Sequence, residues 1–167
     1  WLAAEDASSR NTARSVIESR PPEKWIDSVT SAKDARVRAE LELALARVGA
    51  PEGVAELLVR LAERPFVPKE REIALVTSRT LELALLHAAP VTAETRTTLA
   101  ATLLAVFPTG DQDLDRQLGV LLASLPEAAG TFVPRALERL AAASKAGDGA
   151  EAFHWAFVLR GVTGGWN

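Results

Sequence analysis

Short apolar runs at helical spacing, each closed by Gly or Pro, constrain this chain more than any other feature. Between positions 34 and 48, Val37, Leu41, Ala44, Leu45 and Val48 fall at i, i+4, i+7, i+8 and i+11, one stripe of a 3.6-residue helix. Gly49 stops that helix and Pro51 opens the next, where a missing N–H costs no hydrogen bond. Val54, Leu57, Leu58 and Leu61 form the buried face of this second helix. Only about three residues join the two, so they are expected to pack antiparallel. Ala, Leu, Glu and Arg dominate throughout and β-branched runs are missing, so the whole chain is expected to be all-α.

The unit recurs. A long helix over 68–88 is followed after Pro90 by one over 92–107, and Pro108 ends that pair. A third pair is expected over 111–125 and 131–144, with Pro126 and Gly130 in its connection and Gly147 and Gly149 closing it. Upstream, Ser8 or Ser9 is placed to cap a helix reaching about position 19, and Pro21-Pro22 to restart a short one through Trp25. A helix over 150–159 completes the array. Pairs starting near 34, 68 and 111 repeat at about 34 to 43 residues, the range of HEAT and armadillo helix pairs. The expected fold is a right-handed α-α superhelix of such pairs, a single solenoid domain over 1–167, with 144–149 as its best mobile loop.

Composition narrows the function classes. Arg, Glu or Asp interrupts every apolar stretch, so no run of about 18 apolar residues exists and no membrane insertion is expected. With 19 Lys+Arg against 22 Asp+Glu, the net charge of −3 lacks the basic excess that nucleic-acid phosphates call for. The absence of Cys excludes disulfides, thiolate zinc sites, a cysteine nucleophile and a c-type haem attached within the chain. Only His87 and His154 offer imidazole, whereas a metal site converges three or four ligands, so no cofactor is expected. The chain begins with Trp1, contains no Met and shows no basic-then-apolar leader, which reads as a mature product or an excerpt of a longer polypeptide.

Five stretches carry a resemblance to a known family: the opening WL with TARSVIESRPPEKW, LELALARVGAPEGVAELL, EIALVTSRTLELALLHAAPV, FPTGDQDLDRQLGVLLASL and FHWAFVLRGVTGGW. In this order and spacing they are similar to the HEAT-like helical region of large secreted bacterial proteins of the PVC-type haem-binding, membrane-bound dehydrogenase kind. In that family the region sits beside a sugar-dehydrogenase-like β-propeller and a cytochrome c domain. The most specific pieces are Pro108, Asp113, Leu114, Asp115, Arg116 and Leu118, and the closing set His154, Leu159, Arg160, Gly165 and Trp166. The family often has Asn where this chain has Asp115 and Tyr where it has Trp155, and it continues past Gly-Trp into another helix. The resemblance implies a spacer or docking module of a periplasmic or secreted electron-transfer protein. Its implied partners are neighbouring domains or subunits, a c-type cytochrome among them, and it does not place the haem on this segment.

Among individual residues, His154 lies between Phe153 and Trp155 on a helix that also presents Phe157 and Val158. A lone His beside aromatics reads as a partly buried imidazole bonded to a carbonyl or carboxylate before it reads as a haem ligand. His87, near the end of the long helix, favours the negative end of that helix's dipole. Asp111, Asp113 and Asp115 alternate after Gly110 like the opening of a calcium loop, but the Gly precedes the acids and the twelfth position is Leu122. They are expected to cap the following helix instead. Arg116, whose only helical neighbour among these acids is Asp113, is expected to tie one helix pair to the next.

Arg36, Arg38, Arg47, Arg60 and Arg64 interleave with Glu40, Glu42, Glu56 and Glu63, which predicts surface ion pairs worth a few tenths of a kcal/mol each. Trp1, Trp25, Trp155 and Trp166 are too scattered for a base-stacking platform. No G-x-S-x-G, G-x-x-x-x-G-K-[ST] or H-E-x-x-H occurs, so no catalysis is expected within the chain. The favoured expectation is a non-catalytic scaffold or protein-interaction module; the alternative is a HEAT-like nucleic-acid binder or DNA glycosylase. Contact points are expected where a solenoid leaves its end faces uncovered, at Trp1 and Leu2 and at Val162 and Trp166.

Overall fold

The computed structural model describes residues 1–166. Among them the chain is all-helical and contains no strand. The helices are α1 (Ala7–Glu18), α2 (Ile26–Ser31), α3 (Ala35–Val48), α4 (Pro51–Glu63), α5 (Arg71–His87), α6 (Ala93–Leu104), α7 (Gln112–Ala123), α8 (Ala129–Ala146) and α9 (Gly149–Arg160). Single 3-10 turns at Pro22–Lys24 and Pro126–Ala128 precede α2 and α8. Contacts gather into two compact units, one of Trp1–Leu61 with Lys69–Val91 and the other of Ala62–Pro68 with the chain from Thr92 onward. The division falls inside α4.

Helix starts follow side-chain chemistry. The carboxylates of Asp34, Asp111 and Asp148 accept from the main-chain N–H of Val37, Leu114 and Glu151, and the Thr92 hydroxyl accepts from that of Thr95. At the first helix Asp6, not Ser8 or Ser9, is the cap, accepting from Ser9 N at 2.7 Å. Charge explains the difference: an ionised acceptor holds a free N–H more strongly than a hydroxyl does. The segment after Trp25 continues into α2, which the two prolines concealed. Gly130 lies inside α8 and Gly149 inside α9, so neither breaks its helix.

In the first unit α3 is the central element, with α1, α2 and α5 packed against it. Its middle is enclosed on every side, with every residue from 39 to 46 buried, including Glu40 and Glu42. This enclosure redirects the expected surface ion pairs. Glu40 meets Arg10 at 3.3 Å and Arg14 at 2.6 Å, both on α1, while Arg47 reaches Glu18 of α1 and Arg36 reaches Glu72 of α5. The pairs thus join helices instead of decorating one.

In the second unit α8 and α9 form a hairpin, with α7 packed against both. Gly147, at φ 73°, ends α8 in a Schellman arrangement: its N–H meets the Ser144 carbonyl while the Asp148 N–H meets that of Ala143. Asp148 then caps α9, so the turn expected to be mobile is two residues long and bonded at both ends. Trp155 fills the core, fully buried, with its ring centroid 5.8 Å from that of Phe107, which in turn lies 5.6 Å from Phe132. Gly119 of α7 makes this possible, because a Cβ there would lie 2.7 Å from the Trp155 ring.

Candidate interaction surface

α9 carries two apolar stripes. Trp155, Val158 and Leu159 are buried together with Glu151 on one side. On the other, Phe153, Ala156, Phe157 and Arg160 fall at i, i+3, i+4 and i+7 and are all exposed, Phe153 by 73% and Phe157 by 60%. A helix apolar all round is normally enclosed. Here one face is packed and the other is open, and the Arg160 guanidinium sits 5.6 Å from the Phe157 ring centroid, where its charge favours the aromatic face.

A polar network behind this helix fixes its rotation. Glu151, 7% exposed, accepts from Gln112 Nε2 at 2.9 Å, from Arg116 Nε at 2.7 Å and from Trp155 Nε1 at 2.6 Å. Burial alone pushes the Glu151 carboxyl up, but the bonds from Gln112, Trp155 and Arg116, with the arginine's charge, hold it below the usual glutamate value. Arg116 thus joins α7 to α9 through Glu151, a partner its own helix gave no hint of. Asp113 lies exposed on α7.

Asp115 behaves otherwise than a cap. It is fully buried and accepts from the Thr109 N–H and hydroxyl at 2.6 and 2.8 Å, tying down the turn before α7, and pairs with Arg139 of α8 at 3.0 Å. Arg139 in turn lies 5.8 Å from the Trp155 ring centroid. Asp111 is the N-cap of α7; Asp115 stands in the first turn but spends its carboxylate on Thr109 and Arg139, which corrects its expected capping role. The roles of Asp115 and Glu151 were hidden because their partners on other helices, Arg139 for Asp115 and Arg116 and Gln112 for Glu151, stand 24 to 39 positions away.

His154 is part-buried, edge-on to Trp155 with centroids 5.2 Å apart, and its Nε2 is buried without a hydrogen-bond partner among the described residues. Burial, then the Arg116 charge, hold the imidazole below its ordinary value, outweighing the Glu151 charge and a hydrogen bond with the Arg116 main chain. His87 approaches the Ala46 carbonyl at 3.2 Å, bonding the last turn of α3 and not only facing the end of its own helix.

The expected end contacts divide. Trp1 is 90% exposed and Leu2 half-buried, beside a recess of about 540 Å³ lined by Val16, Ile17 and Arg20 among others. Trp166 is 53% exposed, with its indole N–H on the Val162 carbonyl. Val162, expected to be open, is buried instead. The segment after α9 turns back on α8, where Gly165, at φ 75°, lies so close to the Ala129 carbonyl that a Cβ would stand 2.5 Å from it, and Val162 joins the core.

Among the described residues no helix is long and apolar enough to cross a membrane, and no group of three or more His, Asp or Glu is placed to hold a metal. Comparison with protein-family models, with curated proteins and with solved structures finds no match to this chain.

Proposed function

We propose that this chain is a non-catalytic protein-interaction module whose α9 outer face docks onto a neighbouring domain or subunit. The observation that carries the reading is the pair Phe153 and Phe157, one turn apart and open on a helix whose opposite face is locked into the core. Large aromatics that are pre-positioned at low entropic cost are the residues that anchor protein interfaces. The Glu151 network supports the same reading, because it fixes the orientation of the helix that presents them.

The helix-pair spacing in the sequence supports a HEAT-like right-handed superhelix as the framework. The resemblance to the helical region of PVC-type haem-binding, membrane-bound dehydrogenase proteins supports a periplasmic or secreted electron-transfer assembly, with a c-type cytochrome as the partner. Against an enzyme, His87 lines a recess without Ser or Thr, and the His154 Nε2 is enclosed in protein. Against a nucleic-acid binder, Arg10, Arg14 and Arg36 are each held by a glutamate.

A photo-crosslinking side chain at position 157, with one at the exposed Glu138 as control, tests the proposal in the native envelope. The expected product is one polypeptide joined at 157 and not at 138, bearing a C-x-x-C-H haem site. Equal labelling at both positions, or a nucleic-acid adduct, would overturn it.

A further inference from the structure

We propose that the first unit holds a second, separate site, a recess between α1, α3 and α5 that takes a small organic phosphate ester. The recess has a volume of about 350 Å³ and is lined by Arg14, Leu43, Arg47, Arg79, Leu83 and His87. That volume lies within the roughly 300 to 1,000 Å³ of small-molecule sites. The sequence builds it from helical spacing: Leu43 and Arg47 are one turn apart on α3, and Arg79, Leu83 and His87 occupy successive turns of α5. In a chain of net charge −3, every polar lining residue is an arginine or a histidine and none is an acid.

The donors differ in how far the protein uses them. Arg14, 12% exposed, is committed, with Nη1 on Glu40, Nη2 on Asn11 and Nε 3.4 Å from Glu18, so it supplies a fixed positive charge at the back. Arg47 spends only Nε, 3.3 Å from Glu18, and its two terminal nitrogens have no partner among the described residues. Arg79 spends only Nη1, on Glu82, which leaves Nε and Nη2. His87 donates from Nδ1 to the Ala46 carbonyl, so its Nε2 is an acceptor, and the donors left for the recess are those of Arg47 and Arg79.

Helix-end electrostatics explain part of this, since Arg47 and His87 stand in the last turns of α3 and α5. Arg79, about two turns before the end of α5, is placed instead by its i,i+3 pair with Glu82, which uses one of its nitrogens. One arginine fork satisfies a planar carboxylate, whereas donors converging from separate helices suit the tetrahedral oxygens of a phosphate. Leu43 and Leu83 then give the ester group an apolar wall.

Calorimetric titration of the chain with phenyl phosphate, inorganic phosphate and benzoate tests the site. One saturable site is expected, tightest for phenyl phosphate. Arg79→Gln and Arg47→Gln should each weaken it about tenfold, the loss of one charged hydrogen bond, while Arg79→Lys keeps part of the affinity. Arg79 is 54% exposed, so its variants should fold as the parent does, which circular dichroism checks. Arg160→Gln, on α9, should change nothing. Absence of saturation, or weakening by Arg160→Gln equal to that by Arg79→Gln, overturns the site. Benzoate binding as tightly as phenyl phosphate overturns the assignment to a phosphate ester.

Discussion

Three donors, Gln112, Arg116 and Trp155, end on the Glu151 carboxylate, so removing it strands an indole N–H inside the core. Glu151→Ala should therefore cost about 3 kcal/mol or more, and Arg116→Ala about 1 to 3 kcal/mol, measured by urea unfolding. A change near zero for Arg116→Ala would remove that bond from the account. His154 gives a pH window. Its folded value lies below the ordinary imidazole value of 6.5, so as pH falls through 6.5 the unfolded chain takes up a proton that the folded chain resists, and stability drops. His154→Gln should flatten stability across about pH 7.5 to 5.5. An unchanged slope would mean that the imidazole titrates freely. The Glu151 contribution is present above the ordinary glutamate value of 4.5 and is lost as pH falls further, through its depressed folded value. Arg116 was legible in the sequence because a guanidinium in a helical array has to find acceptors; Asp115 was not, because Thr109 and Arg139 become its neighbours only once the turn and α8 are in place.

Elements were most legible where a charge or a glycine punctuates them. Asp34 and Asp111 cap where the apolar periodicity begins, and Gly147 ends α8 in the left-handed region that an L side chain enters only at a cost. Gly147→Ala should lose about 1 to 2 kcal/mol of stability for that reason. Gly119→Ala should cost about 1 to 3 kcal/mol by a different route, overpacking, because the new methyl meets the Trp155 ring. Thermal unfolding of the two variants checks both, and a neutral Gly119→Ala would mean that the ring can retreat. The outer stripe of α9 was readable in principle, since Phe153, Ala156 and Phe157 repeat the helical period on the side opposite Trp155 and Val158. Two interleaved stripes on one helix look like uniform apolarity, and only the packing of α7 and α8 shows which is buried. Val162 was misplaced because nothing local announces that the chain folds back after α9.

At the scale of the whole molecule, the all-α class followed from composition and period, because no β-branched run competes with helix anywhere in the chain. Partition into two compact units, with the boundary inside α4, did not follow from them, since the Pro51 start and apolar stripe of that helix look like those of its neighbours. The charge pattern was read with the right sign but the wrong reach: Arg and Glu balance, yet Glu40 and Arg47 each pair with a residue of α1, Glu40 because the middle of α3 is enclosed. The proposed interaction requires that the molecule offer one prepared aromatic face, Phe153 with Phe157, to a protein partner. Affinity for the polypeptide cross-linked at position 157 measures it most directly, comparing the parent chain with Phe153→Ser/Phe157→Ser. Both rings are exposed, so the double variant should unfold within about 0.5 kcal/mol of the parent. Its affinity should fall about a hundredfold or more, the loss of two buried aromatic anchors. Unchanged affinity at unchanged stability would contradict the account.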